Sequence, residues 1–424
     1  MNFAKSCIRF SNLAPVPKNY GPRIIPSTFV SRAFATSNYA KKPAAVVDNG
    51  VTTVSFDDGK SARFHNQWLR DHCRCEKCVH PKTYQRIIDP LVATENMVPQ
   101  KCEIENGILQ VKWADEGHDS VYPLEWLEKN AYDLGKSTFI QNHETKYWGS
   151  ELEGKIPSVK YEDMMNTDEG LYQWLQNIQT YGLGLVEGVP NTEDATKEAI
   201  SRIGPIRETH YGAFWAFSAN FEHGDLAYST LSLPAHTDNT YYTDPAGLQL
   251  FHLLEFKGVG GEQVYVDAFN VAKQLKKQDP KAYETLSTYG TWGHQAGDEG
   301  VFLKPSPEPF PVFNHTKNGE LFQVRYNNED RSAVTTMPFD KVPEYYDAIQ
   351  KWVKLVRNPK NELVVPLKPG MLIALDNWRV MHARKMYSGS RTLSGGYVDN
   401  DYWKSKLRVL SSKVIGKDSK KELL

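Results

Sequence analysis

The sequence predicts a mainly β chain with flanking helices: a small β-rich domain over residues 48–140, then a double-stranded β-helix, or jelly-roll barrel, over residues 158–410. Three observations carry this expectation. Short apolar runs bounded by Gly or Pro recur at 247–254, 263–266 and 370–375, the length of buried strands. Helical spacing appears beside them through Leu171, Trp174, Leu175 and Ile178, and again at 271–286 and 342–356. Nearer the N-terminus, alternating runs at 51–56 and 108–113 are punctuated by Asp58-Gly59 and Asn106-Gly107, dipeptides typical of tight turns between strands. Many short strands with helices on their flanks suit a barrel wrapped by helices.

The chain before these domains reads differently. Residues 1–47 hold Lys5, Arg9, Lys18, Arg23, Arg32, Lys41 and Lys42 with no acid, and are rich in Ser, Ala and aromatics. This is the composition of a mitochondrial transit peptide. The stretch Ser31-Arg32-Ala33-Phe34-Ala35-Thr36-Ser37 resembles a two-step matrix-processing site, so residues 1–40 are expected to be a leader to the mitochondrial matrix. The competing reading is a disordered tail, but a tail without function has no reason to exclude every acid. Residues 141–157, ending in Gly154 and Pro157, form a connector. Asn166-Thr167-Asp168 is placed to cap the next helix, and the Lys/Ser-rich stretch after Leu410 is expected to fray.

Composition excludes some functions. The formal net charge is −1, so with a basic leader the remainder is acidic and has no surplus of cations for a phosphate backbone. Nucleic acid is not an expected partner. No uninterrupted apolar run reaches the roughly 18 residues of a membrane span. Three of the five cysteines fall between 73 and 78, which in a chain this long points to a metal in a reducing compartment rather than a disulfide framework.

His236-Thr237-Asp238 sets an imidazole and a carboxylate one residue apart. In an extended strand these two positions project to the same face. His382, following the apolar run 370–375, is the candidate third ligand. Two His and one carboxylate leave open positions, the set that lets Fe(II) bind 2-oxoglutarate and still admit O2. His-x-Asp recurs by chance and is weak alone. It gains weight from Arg391, nine residues beyond His382 and opening the strand-like run 392–397. A guanidinium fork matches the far carboxylate of 2-oxoglutarate, whereas the alternative for Arg391 is a surface ion pair of little consequence.

Cys73-x-Cys75-x-x-Cys78 places three thiols on one loop, with His118 about forty residues on. Three Cys and one His make a closed tetrahedral set for structural zinc. His72 is adjacent to Cys73 and His80 would have to fold back over Cys78, so both fit less well. Free thiols so crowded would invite oxidation.

Trp68-Leu69-Arg70-Asp71-His72-Cys73, Tyr147-Trp148-Gly149-Ser150-Glu151, Ile206-Arg207-Glu208-Thr209, Gly260-Gly261 with Val266-Asp267, Arg325-Tyr326-Asn327-Asn328 and Asp376-Asn377-Trp378-Arg379 stand with His236-Thr237-Asp238. In combination, from about residue 48 to 410, they resemble the γ-butyrobetaine and trimethyllysine dioxygenases of carnitine biosynthesis. The resemblance implies a jelly-roll core with a zinc-bearing N-terminal domain, a homodimer, and dependence on Fe(II), 2-oxoglutarate and ascorbate. It places the iron ligands at His236, Asp238 and His382, the 2-oxoglutarate anchor at Arg391, and the zinc ligands at Cys73, Cys75, Cys78 and His118. Many related enzymes carry a Thr shortly after the Gly-Gly to assist 2-oxoglutarate; this chain has Glu262-Gln263, and no cosubstrate role is assigned there.

A quaternary ammonium donates no hydrogen bond, so aromatic faces hold it best. Tyr211, Trp215 and Tyr228 match the family's aromatic cage, Tyr211 and Trp215 facing alike if their stretch is helical; Phe214 and Phe217 are read as core. Asp225 stands where the butyrobetaine enzymes carry a neutral Asn. Its carboxylate would pair with the α-ammonium of trimethyllysine and repel the carboxylate of γ-butyrobetaine, unless it is an ordinary turn acid. Asn327 is placed at the substrate's polar end by motif. The expectation is C3 hydroxylation of trimethyllysine, with γ-butyrobetaine as the alternative substrate. From other classes, the alternatives are an inactive zinc and jelly-roll binding module, and more weakly a cupin-like storage barrel.

Overall fold

The computed structural model describes residues 42–87, 89, 97–114, 118–134, 144–218 and 229–416. The leader expected at 1–40 and two expected site residues, Asp225 and Tyr228, lie outside the described residues. The chain forms two compact units, one of residues up to His72 with Ala93–Asp133, the other of Cys73–Val92 and Leu134 onward. No helix among the described residues is long and apolar enough to cross a membrane.

The first unit is built from hairpins with two short helices, α1 (Asn66–Asp71) and α2 (Leu124–Lys129), and α3 (Tyr161–Asn166) belongs to the second. Strands β1 (Ala44–Asp48), β2 (Val51–Ser55) and β3 (Ser61–His65) make one antiparallel sheet, and β4 (Pro99–Glu105), β5 (Ile108–Trp113) and β6 (Asp119–Pro123) another. In β5, Leu109, Val111 and Trp113 are buried while the residues between them are exposed, the period-two burial of a sheet with one wet face. Asn106 (φ 50°) and Gly107 (φ 76°) turn β4 into β5, a left-handed pair that matches strand twist.

The second unit holds two sheets. The larger has six strands: β7 (Ser158–Lys160), β8 (Leu183–Glu187), β9 (Phe214–Phe217), β11 (Leu248–Gly260), β16 (Met371–Asp376) and β18 (Tyr387–Val398). The smaller has four: β10 (Leu233–His236), β12 (Gln263–Asp267), β15 (Leu363–Val365) and β17 (Val380–Arg384). The short hairpin of β13 (Phe313–His315) and β14 (Leu321–Val324) pairs with neither sheet.

The sheets face one another across a core shared by Phe251, Ile373 and Leu393 of the larger and Tyr265, Leu363 and Val380 of the smaller. Leu248, Leu250, Leu372 and Ala374 point the other way, under α4 (Asp168–Tyr181), α5 (Glu193–Ile203) and α9 (Asn400–Ile415). Val266 and Met381 pack beneath α6 (Ala268–Gln278), α7 (Pro280–Thr288) and α8 (Val342–Val356). This is the jelly-roll barrel with helices on its outer faces. Both faces of the central strands are covered, so their sequences read as continuous apolar runs rather than alternations.

Thr167 caps α4, its side chain accepting from the Gly170 amide. Two expectations need correction. The helical spacing at 271–286 is two helices: α6 ends at Gln278, and Asp279 caps a new helix with Pro280 in its first turn, where proline's missing donor costs nothing. The stretch after Leu410 does not fray at once. Helix α9 continues to Ile415 because Trp403, Leu407 and Leu410 bury one stripe of it, and Lys413 reaches Asp168 at 2.9 Å.

Buried His252 of β11 has Nδ1 2.7 Å from Thr196 Oγ1, which lies 2.9 Å from Ser394 Oγ. Burial lowers its pKa to about 4. The unfolded imidazole titrates near 6.5, so between these values the unfolded chain binds more protons. Stability from this group is complete above about pH 6.5 and falls by about 3 kcal/mol as pH drops to 4. Urea denaturation of the wild type and His252→Asn at pH 7 and pH 4.5 checks this: the variant is expected to lose less stability on acidification.

Candidate metal centre and active-site cavity

Strand pairing brings the two imidazoles together. β10 runs antiparallel to β17 with His236 directly opposite His382, and the ring centroids are 4.2 Å apart. Asp238 does not continue β10, as the sequence alone led us to expect; the strand stops at His236 and the carboxylate comes from the following turn. The Thr237 amide donates to the Tyr326 carbonyl at 2.8 Å, and Asn239 takes φ 58°. The outcome for the side chains is nevertheless convergent. Asp238 Oδ1 lies 3.2 Å from His236 Nε2 and 3.6 Å from His382 Nε2.

The remaining atoms of His236 and Asp238 are engaged behind them, whereas His382 Nδ1 has no hydrogen-bond partner among the described residues. His236 Nδ1 is 2.8 Å from the Pro234 carbonyl oxygen, which can only accept, so a proton sits on Nδ1 and Nε2 faces forward. Asp238 Oδ2 accepts from Tyr397 Oη at 2.6 Å and from Gln249 Nε2. Gln249 and Tyr397 are themselves cross-strand partners on β11 and β18. Asn377 clamps the ligand turn, accepting from the Asp238 amide at 2.8 Å and donating to the Asp238 carbonyl at 3.1 Å. Burial alone would raise the Asp238 pKa, but the two imidazoles and Tyr397 hold it below the usual carboxylate range. Burial, together with neighbouring His236, pushes His382 down to about 3. Burial would lower His236, but the Asp238 carboxylate and the Pro234 carbonyl raise it to about 9, so a metal taking its Nε2 displaces a proton there, while ionised Asp238 and neutral His382 are already in ligating form. Two imidazole nitrogens and one carboxylate oxygen, preset on one face, fit Fe(II) with open positions.

A cavity of about 280 Å³ opens onto these side chains, and two chemically opposite groups line it. One is cationic. Arg391 on β18 is 5% exposed, and no carboxylate among the described residues faces it; burial and nearby Arg384 lower its pKa to about 10. With its amide oxygen turned toward Arg391, Gln263 accepts from Nη2 at 2.5 Å and donates to the Ala383 carbonyl at 3.1 Å. A buried guanidinium without a counter-charge is costly unless an anion joins it, and a dicarboxylate would supply one. The other group combines aromatic rings with a neutral amide and a carboxylate: Tyr211, Trp215, Tyr241, Asn327 and Asp330. Tyr211 and Trp215 are not on a helix; Tyr211 sits in a turn and Trp215 on β9, yet both line the cavity. Trp215 lies over Gly395, where an added Cβ would come within 2.3 Å of the indole.

The catalytic unit matches the taurine catabolism dioxygenase TauD, TfdA family over residues 141–397, and the first unit matches the γ-butyrobetaine hydroxylase-like N-terminal family over residues 46–128. The chain is 35% identical over 377 residues to a trimethyllysine dioxygenase of Meyerozyma guilliermondii, covering 86% of this chain and 94% of the relative. It is 39% identical over 342 residues to a human mitochondrial trimethyllysine dioxygenase, covering 80% of each chain. This chain belongs to the γ-butyrobetaine/trimethyllysine dioxygenase family. As a member it is an Fe(II)- and 2-oxoglutarate-dependent dioxygenase. A human γ-butyrobetaine dioxygenase is more distant, 28% identical over 383 residues, covering 88% of this chain and 98% of that one.

Several dioxygenase motif residues act as scaffold. Arg379 makes a bidentate pair with Asp267, Nε to Oδ1 at 3.1 Å and Nη2 to Oδ2 at 2.8 Å, and Arg325 donates to the carbonyls of Thr240, Tyr242 and Thr243 beyond the ligand turn. Of the expected zinc set, Cys73, Cys75 and Cys78 lie together on one loop of the second unit, and His118 belongs to the first. The Cys78 and Val79 amides both donate to the Cys75 carbonyl at 2.9 Å, a tight turn that gathers the thiols. His72 Nδ1 is engaged by the Trp68 carbonyl at 2.7 Å, and His80 Nδ1 accepts from the amides of Lys82 and Thr83.

Sequence reading missed Gln249, Tyr397, Gln263, Arg384 and Asp330. Gln263, given no cosubstrate role from the sequence, stands against Arg391. The period-two rule on β12 puts Gln263 on the face of Tyr265, and a buried glutamine there was the available signal.

Proposed function

We propose that this dioxygenase hydroxylates N6,N6,N6-trimethyl-L-lysine at C3, with O2 and 2-oxoglutarate, giving 3-hydroxy-trimethyllysine, succinate and CO2, the first step of carnitine biosynthesis. The observation that carries it is one cavity joining the His236, Asp238 and His382 side chains to both a buried Arg391 that no carboxylate faces among the described residues and a group of aromatic rings with a carboxylate. His236, Asp238 and His382 hold Fe(II), which when bound supplies O2 activation coupled to oxidative decarboxylation of 2-oxoglutarate. Arg391, oriented by Gln263, holds the far carboxylate of the cosubstrate. Tyr211, Trp215 and Tyr228 offer rings to the quaternary ammonium, while Asp225 and Asn327 serve the polar end. The chain's work is positioning: it presents C3 to the metal and excludes water around it.

Cys73, Cys75, Cys78 and His118 hold a structural zinc, a closed set with no position left for chemistry. The mitochondrial names of the vertebrate relatives and the acid-free leader support a matrix enzyme. By family resemblance it is a homodimer that uses ascorbate. The higher identity to trimethyllysine than to γ-butyrobetaine dioxygenases favours the first substrate.

Purified protein incubated with Fe(II), 2-oxoglutarate and each methylated substrate, with products read by mass, tests the reading. One oxygen added to trimethyllysine, in step with succinate, is expected. Oxygen added only to γ-butyrobetaine, or to neither, contradicts it. In the same assay Asp225→Asn is expected to weaken trimethyllysine use more than butyrobetaine use.

A further inference from the structure

Asp330 lines the same cavity as His236 and Asn327. Its position is fixed from both sides of the peptide chain. The His294 amide donates to the Asp330 carbonyl at 2.8 Å. Asn327 Nδ2 at 2.8 Å and Thr240 Oγ1 at 3.2 Å both donate to Oδ2. The carboxylate is half-buried, whereas neighbouring Glu329 is exposed, so Asp330 is the less screened of the two acids beside the metal centre.

Trimethyllysine carries two different cations. The quaternary nitrogen has no donor and calls for aromatic faces; the α-ammonium has three N–H donors and calls for an acceptor. Bond lengths and angles place the α-nitrogen only about 2.5 Å from C3, because one carbon separates them. Presenting C3 to the metal therefore forces the α-ammonium into the wall surrounding His236, Asp238 and His382, while the quaternary nitrogen extends beyond it. Resting on the trimethyllysine reading, we propose that Asp330, positioned by Asn327 and Thr240, is a specificity-determining residue that accepts hydrogen bonds from the substrate's α-ammonium. γ-Butyrobetaine has no such group and would bring its own carboxylate close to the same wall, so the residue selects between the family's two substrates.

The test compares kcat/KM for trimethyllysine with that for 6-(trimethylammonio)hexanoate, the same molecule without its α-ammonium, in wild type and Asp330→Asn. A hydrogen bond to a charged partner supports a preference of about tenfold to a hundredfold in the wild type, and the variant is expected to bring it to within about threefold, chiefly by losing trimethyllysine. A preference that survives the substitution overturns the proposal. Should Asp330→Asn process neither cation, Asp330→Glu is measured in the same way. Restored preference for trimethyllysine supports the role, and equal loss of both cations overturns it. If wild type hydroxylates trimethyllysine well and this preference persists in the variant, the specificity claim alone fails; if wild type hydroxylates neither, the functional reading fails with it.

Discussion

Replacing His236 by alanine is expected to abolish hydroxylation and the turnover of 2-oxoglutarate without substrate together. His236, Asp238 and His382 converge through Nε2, Oδ1 and Nε2, and two of three ligands leave a site too poor to hold Fe(II) in place. Outer partners of metal ligands typically contribute 10–100-fold to affinity or activity, so loss of a ligand should exceed about a hundredfold. Tyr397→Phe, which removes one hydrogen bond to Asp238 Oδ2, is the graded counterpart and should stay within that range. Stopped assays for succinate, with and without trimethyllysine, distinguish the two. Uncoupled turnover retained by His236→Ala would mean that the metal sits elsewhere.

The second large effect concerns stability. Arg379→Leu leaves Asp267 as a buried, uncompensated carboxylate, since Asp267 is 1% exposed and Arg379 3%. Breaking one partner of a buried pair costs about 3–5 kcal/mol. The loss should be cooperative, because Arg379 also donates to the carbonyls of Thr180 and Lys146, and Asp267 caps α6 by accepting from the amides of Phe269 and Asn270. Urea denaturation measures it. The double substitution Asp267→Leu with Arg379→Leu should lose less than the sum of the two singles, because neither charge is then stranded.

How far these features could be seen in advance depended on whether the chain is local there. α8 matched its apolar spacing residue for residue, and Thr167 and Asn106-Gly107 acted through neighbours three residues away or fewer. The break at Asp279-Pro280 was also local and could have been read from the proline. The ligand set was visible as residue types in order, but its geometry was not. His236 meets His382 because β10 pairs with β17 across a sequence separation of 146, and periodicity carries no information about pairing partners. Gln249 and Tyr397 were invisible for the same reason: each is one polar residue in a strand buried on both faces, and only the β11–β18 register brings both to Asp238 Oδ2. Tyr211 and Trp215 were assigned to the cavity wall by motif, and the structure supplies a different backbone for the same destination, a turn and a strand.

The measurement that bears most directly on the central claim is anomalous diffraction at the iron edge from crystals grown anaerobically with Fe(II). One iron peak is expected in the cavity, bounded by His236 Nε2, Asp238 Oδ1 and His382 Nε2, with Arg391 facing it across the space for 2-oxoglutarate. A peak held by other residues, or by fewer than all three of these, would contradict it.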